Sequence, residues 1–131
     1  MGCFRISKKT CKKITSIVAR FLWGGDENKK KMHWKKWKDI AIPKCEGGTG
    51  FRDFGLFNKA MLAKQGWRLL TNPESLCAKV LKGRYYDNSD FLAATKKRNS
   101  SHTWRAILHG RECLNLGVIK RVGDGASINI W

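Results

Sequence analysis

Lysines and tryptophans are interleaved between residues 29 and 38, and these residue types are suited to binding a nucleic acid. Lysine ammonium groups neutralise phosphates, and a tryptophan ring can stack on a nucleic-acid base. Trp34 and Trp37 are also spaced like the apolar face of a helix. We therefore interpret the tryptophans as core residues and the lysines as phosphate contacts, the alternative being a merely solvated basic face. The lysines are Lys29, Lys30, Lys31, Lys35, Lys36 and Lys38.

The charge of the whole chain favours the same kind of partner. Its 131 residues include 27 Lys and Arg against 10 Asp and Glu, a formal net charge of +17. Polyanions are the expected partners of such a protein. Lys64 and Arg68 extend the positive charge along a predicted helix, and they complete the predicted nucleic-acid-binding set.

Carboxylates are too scattered to predict two-metal catalysis, which needs acids clustered around paired cations. Only Asp26 with Glu27, and Asp87 with Asp90, lie close in sequence, in polar stretches where solvation or helix capping is the commoner role. The glycine-rich run 47–50 lacks the Gly-Lys-Ser/Thr of a phosphate-binding loop, which favours a turn. We expect no catalytic residues and no cofactor.

Thiols and imidazoles give no stronger prediction of a site. His109 and Cys113 are spaced i, i+4 on a predicted helix, but a zinc site needs at least three protein ligands, so we expect no metal. The five cysteines are odd in number and form no C-x-x-C pair, which favours free thiols in a reducing intracellular compartment, nucleus or cytoplasm. No apolar run reaches the length that spans a bilayer, and no membrane partner is expected.

Hydrophobic periodicity predicts the elements that must position these residues. A first helix covers residues 8–22, a loop covers 43–50, and a second helix runs from Leu56 to Thr71. Asn72 is expected to cap another helix, with Pro73 in its first turn, that ends near Gly83. The apolar faces of these three helices are predicted to be Ile14, Ile17, Val18 and Phe21; Leu56, Ala60, Ala63, Trp67 and Leu70; and Leu76, Cys77, Val80 and Leu81.

The second half of the chain ends in a helix and a hairpin. Residues 85–100 are predicted to form a surface loop, and Ser101 to cap a helix ended by Gly117 with Trp104, Ile107, Leu108 and Leu114 inward. Alternating residues flank an Asp-Gly pair at 124–125, which predicts a β-hairpin over residues 118–131. The fold class is therefore mainly α, a small domain of four to five helices with a C-terminal β-hairpin.

We divide the chain into an N-terminal basic helical segment, residues 1–46, and a helical domain with the hairpin, residues 47–131, within one structural unit. Six tryptophans are available, and their burial is expected to be the main stabilising contribution.

Several longer motifs resemble a known family. They are Phe21-Leu22-Trp23-Gly24-Gly25, His33-Trp34-x-x-Trp37, the run 47–53 (Gly-Gly-Thr-Gly-Phe-Arg-Asp), the run 57–69 and Thr103-Trp104-Arg105. In this order they resemble the region of plant LINE-type (non-LTR) retrotransposon polyproteins that follows the reverse transcriptase thumb. In that family the region precedes a zinc-binding segment and, in many members, a ribonuclease H domain.

The resemblance implies a fragment without catalytic activity. The polymerase's catalytic aspartates lie upstream of the matched region, and the zinc ligands lie beyond Trp131. What it implies instead is sequence-independent contact with the backbone of RNA or of an RNA–DNA hybrid, beside flanking polyprotein domains. The alternatives are a structural interdomain connector and a vestigial retroelement remnant with no activity of its own.

Overall fold

The computed structural model describes residues 2–24 and 31–119, and within these ranges the chain is helical and contains no strand. The mainly-α prediction is confirmed for this part of the chain. The predicted hairpin lies almost entirely in residues 120–131, outside the described residues, and the division at residue 46 also stays a prediction. The helices are α1 (Lys8–Leu22), α2 (Trp37–Ile40), α3 (Phe54–Thr71), α4 (Leu76–Tyr85) and α5 (His102–Gly117), with a short 3-10 helix at Lys44–Glu46.

Side-chain caps fix where the longer helices begin. The Ser7 hydroxyl accepts from the Thr10 backbone N–H at 3.1 Å, and Ser101 accepts from that of Trp104 at 3.2 Å. Such caps satisfy N–H groups that have no partner inside the helix. The predicted bounds of α1 and the predicted start and end of α5 are confirmed.

The crossing of α3 and α5 organises the fold, and two glycines make it possible. A Cβ added at Gly110 would lie 2.4 Å from the Ala63 nitrogen and from the Leu62 carbonyl carbon. A Cβ at Gly66 would lie 2.9 Å from side-chain atoms of Leu114 and Phe91. The two helix backbones can approach this closely because Gly110 lacks a side chain, and Gly66 leaves space for the side chains of Leu114 and Phe91.

Stacked aromatic rings fill the space beside this crossing. Trp104 is fully buried, and its ring lies nearly parallel to those of Tyr85 and Tyr86, at centroid distances of 4.8 and 5.4 Å. Phe91 meets Trp104 edge-on at 6.0 Å. The predicted surface loop 85–100 is thus wrong in part, because it contributes Phe91 and Ala94 to the core. The Arg111 guanidinium, on α5, holds this loop by donating to the backbone carbonyl oxygens of Phe91 and Ala94.

The predicted apolar face of α3 is wrong in register. Leu56 is 71% exposed and Trp67 is 47% exposed, and of the predicted set only Ala63 is buried, while Leu70 is partly buried. The buried face consists instead of Asn58, Leu62, Ala63, Gly66 and Leu69. The physical reason is the close crossing with α5, which brings Gly110 against Leu62 and Ala63 and brings Leu114 against Gly66.

Helix α4 begins later and faces inward differently from the prediction. Asn72 is the C-cap of α3, and the Ser75 hydroxyl caps α4 by accepting from the Ala78 N–H at 3.3 Å. Ala78 and Tyr85 are buried, whereas Leu76 and Val80 are exposed. The helix also continues two residues past Gly83, because Tyr85 packs on the Trp104 ring.

Two further expectations about the core need correction. On α1, Phe21 is 84% exposed and Ile17 is also exposed, and the buried residue of this helix is Ala19 instead. Among the described tryptophans only Trp104 is fully buried. Burial of all six tryptophans is therefore not what stabilises this fold.

Candidate nucleic-acid interface

A groove of about 750 Å³ lies between α1, α2 and the start of α3. Four cationic side chains from three separate parts of the chain line it: Arg5, Lys8, Lys12 and Lys38. Both Lys8 and Lys38 are exposed, so their ammonium groups are hydrated and accessible to a ligand. We call this feature the basic groove.

The period of α1 places two of these cations on one face. Lys8, Cys11, Lys12, Thr15 and Ala19 line the basic groove and recur at the three- and four-residue spacing of a helix. Lys9 and Lys13 belong to the same helix but do not line the groove. Helix α1 therefore presents lysines on two faces, of which one borders the groove.

A buried asparagine positions the segment that carries Arg5. Asn58 on α3 accepts from the Ile6 backbone N–H at 2.9 Å and donates from Nδ2 to the Phe4 carbonyl oxygen at 3.0 Å. These two hydrogen bonds fix the backbone on both sides of Arg5. The amide side chain matches one donor and one acceptor of an extended backbone, which an aspartate or a leucine could not do.

Aromatic contacts hold α2 and thereby Lys38. The Trp37 ring lies 5.4 Å from that of Phe51 and is nearly parallel to that of Phe54 at 6.4 Å. Behind α2, the chain turns back through residues 41–50, where the Thr49 hydroxyl donates to the Ile40 carbonyl oxygen at 2.8 Å. A Cβ at Gly48 would lie 2.0 Å from the Ile42 carbonyl oxygen, so this turn requires a glycine.

The groove carries a strong excess of positive charge. Among the described residues that line it, Asp53 is the only acid, and its carboxylate caps α3 by accepting from the Leu56 N–H at 2.9 Å. His33 and His109 also line the groove. With four cations against one capping acid, the groove is suited to an anionic ligand.

An ion pair lies beside the groove at His109. The Lys59 ammonium donates to Glu112 at 2.7 Å, and the other oxygen of that carboxylate lies 3.4 Å from Nδ1 of His109. The hydrogen bond lowers the pKa of Glu112 and raises that of Lys59. Cys113 belongs to no cluster of three or more potential metal ligands within the described part of the chain. The five cysteines lie unpaired, in exposed or partly buried positions.

The predicted binding residues are only partly brought together. Lys38 lines the basic groove, whereas Lys31, Lys35 and Lys36 are exposed on the non-helical segment 31–36 that leads into α2. Lys29 and Lys30 lie outside the described residues. Trp37 is partly buried as expected, but Trp34 is 78% exposed, and its prediction as a core residue is wrong because the helix begins only at Trp37.

Lys64 and Arg68 lie elsewhere. They are about two to three turns further along α3 than Asn58, and Arg68 lines a separate cavity of about 140 Å³ beside α4. The structure adds Arg5, Lys8 and Lys12, which the sequence prediction did not include. The signal for the two lysines was present in the polar face of the predicted first helix.

No described helix is both long and apolar enough to span a membrane. No family model and no solved structure matches the chain. It is 42% identical over its whole length to the "Uncharacterized mitochondrial protein AtMg00310" of Arabidopsis thaliana, of which it covers 86%. It is also 35% identical over its whole length to the "Putative ribonuclease H protein At1g65750" of the same plant, but spans only 22% of that longer protein. The predicted resemblance to plant retroelement proteins is confirmed in part, as similarity to these two plant proteins.

Proposed function

We propose that this chain is a non-catalytic module that binds the phosphate backbone of RNA or of an RNA–DNA hybrid. The chain belongs to the same family as the Arabidopsis mitochondrial relative. Its origin would be a LINE-type retrotransposon, in which the corresponding region follows the reverse transcriptase. The longer Arabidopsis relative supports this origin, because it carries the name "Putative ribonuclease H protein" and contains a similar segment.

The observation that carries the proposal is the convergence of cations on the basic groove. Arg5 comes from the N-terminal segment, Lys8 and Lys12 from α1, and Lys38 from α2. A solvated basic face would not require the buried Asn58 side chain to hold the backbone on both sides of Arg5. Phosphate binding explains this arrangement, because a nucleic-acid backbone presents negative charge along its length.

The test compares two faces of one helix. Replacing Lys8 and Lys12 by Gln should weaken binding to RNA and lower the slope of log Kd against log salt concentration by about 1.4–1.8, the loss of two phosphate contacts. Replacing Lys9 and Lys13 by Gln changes the net charge equally and should leave the slope within the experimental error. Gln and Lys have similar helix propensities, so circular dichroism should show the same helix content in both variants.

Titration of a labelled RNA by fluorescence anisotropy at several salt concentrations supplies the slopes. Equal slopes in the two double variants would show that the groove is not the contact surface, even though the unaltered chain binds. In that case Lys31, Lys35 and Lys36 are the next candidates, with Lys64 and Arg68 as a separate set.

The second candidate function is a structural connector between domains. Large apolar side chains, among them Phe21, Leu76 and Leu116, are exposed and could contact neighbouring protein. The 22% share of the longer relative also places a similar segment beside much additional chain. A connector predicts weak RNA binding whose salt dependence does not respond to substitution of Lys8 and Lys12.

A further inference from the structure

Trp34 is the most exposed of the described tryptophans. Its side chain is 78% exposed, whereas the ring of Trp37, three residues later, packs against Phe51 and Phe54. An indole ring in water forgoes a large hydrophobic contribution to folding. Packing within the described residues therefore gives no reason for a tryptophan at position 34.

The surroundings of Trp34 are cationic. Lys31, Lys35 and Lys36 are all exposed on the same short non-helical segment. Such a segment offers a π-face together with ammonium groups that attract phosphates. This combination is complementary to a single-stranded nucleic acid, which presents bases and a charged backbone at once.

The neighbouring residue connects Trp34 to the basic groove. His33 lines the groove, and its ring stacks on that of Trp23 at a centroid distance of 6.3 Å and an angle of 25°. This contact anchors the backbone of the segment at the C-terminal end of α1. Trp34 follows His33 directly, so its Cα lies about 3.8 Å from that of a residue that lines the groove.

We propose that Trp34 is a stacking platform for one unpaired base of a strand whose phosphates lie on Lys31, Lys35, Lys36 and the basic groove. The proposal rests on the proposed function and adds a substrate class, single-stranded RNA or an unpaired end of a hybrid. In a duplex the bases already stack on one another, so the ring of Trp34 would gain no partner there. The chain should therefore prefer unpaired strands.

The experiment uses the full chain, with labelled oligouridine and an RNA duplex of matched length as probes. Trp34→Ala should weaken oligouridine binding about 5- to 150-fold, the worth of one stacked base, and leave duplex binding within about twofold. Trp34→Phe should retain most of the affinity, because phenylalanine keeps an aromatic face. Trp67→Ala, at a half-exposed tryptophan on α3, is the matched control and should change neither affinity.

Every other result of these binding measurements would contradict either the stacking proposal or the proposed function. Equal losses on both probes, or no loss with oligouridine, would overturn the stacking proposal while the salt dependence of the unaltered chain still supports phosphate binding. Absence of salt-dependent binding by the unaltered chain would overturn the proposed function together with this proposal. If Trp34→Ala instead abolishes binding to phosphatidylserine vesicles and spares oligouridine, the exposed ring is a membrane contact and the proposal is wrong.

Discussion

Substituting Gly110 by alanine should destabilise the protein, although alanine is the better helix former. The added Cβ would lie 2.4 Å from two backbone atoms of α3, in Leu62 and Ala63, where ordinary contacts are 3.4–4 Å. Because backbone atoms cannot rotate away, α5 would have to move by about 1 Å. Overpacking of this kind costs up to about 3 kcal/mol, and the gain in helix propensity returns about 1 kcal/mol. The expected net loss of unfolding free energy is about 2 kcal/mol.

Two other glycines provide a graded control. A Cβ at Gly83 in α4 would contact nothing within 4 Å, so Gly83→Ala should stabilise the protein by about 0.5–1 kcal/mol. At Gly66 the atoms in the way are side-chain ends of Leu114 and Phe91, which can shift, so the effect should fall between the other two. Urea denaturation followed by circular dichroism gives the three values. A Gly110→Ala variant as stable as Gly83→Ala would refute the argument that α3 and α5 cross in direct backbone contact.

Two further perturbations test the positioning of the groove and the ion pair beside it. Asn58→Asp should lower the unfolding free energy at neutral pH by about 1–3 kcal/mol, because a second carboxylate oxygen would face the Phe4 carbonyl oxygen where Nδ2 now donates. Urea denaturation measures this change. Unchanged stability would show that the Asn58 side chain does not hold the backbone segment that contains Ile6. The lowered pKa of Glu112 means that its contribution to stability is present above its unfolded pKa and is lost as pH falls through the folded value. Glu112→Gln should remove that acid-side loss from the pH dependence of stability, and an unchanged profile would show that the Lys59 hydrogen bond contributes nothing measurable.

The local signals of the sequence predicted element bounds better than buried faces. Ser7 and Ser101 are caps whose hydrogen bonds depend only on residues within one turn, so α1 and α5 begin where the sequence predicts. The end of α4 at Tyr85 depends on stacking with Trp104, a residue of another helix, and no local pattern contains that contact. The burial of Phe91 has the same origin.

The register of α3 shows why periodicity was insufficient. Both the predicted face and the observed face of α3 recur at helical spacing, and the predicted face holds the larger apolar side chains. Which face is buried depends on Gly110, a residue of α5. Gly110 packs against Leu62 and Ala63, whereas Trp67 stays half exposed. Small residues on two helices are a signal for close crossing, but only when they are considered as a pair.

The basic groove required a similar combination of distant residues. Lys38 was predicted because it belongs to a dense run of lysines, whereas Arg5 has no basic neighbour within two residues and is brought to the groove by Asn58. Lys64 and Arg68 were predicted because they extend the positive charge along α3, and they do not line the basic groove. Tertiary contacts, and not the local density of charge in the sequence, determine which cations share the groove.

Repulsion among the cations of the basic groove makes it possible to distinguish a loss of binding from a loss of folding. Arg5, Lys8, Lys12 and Lys38 line one groove in which Asp53 is the only acid among the described residues, so the cations repel one another without a ligand. At physiological salt the screening length is about 8 Å, so neighbouring charges within the groove still interact. Replacing Lys8 and Lys12 by neutral residues removes repulsion and should not destabilise the folded chain. A weaker affinity in that variant would therefore report on the contact with the ligand, and a polyanion that binds the groove should itself stabilise the fold.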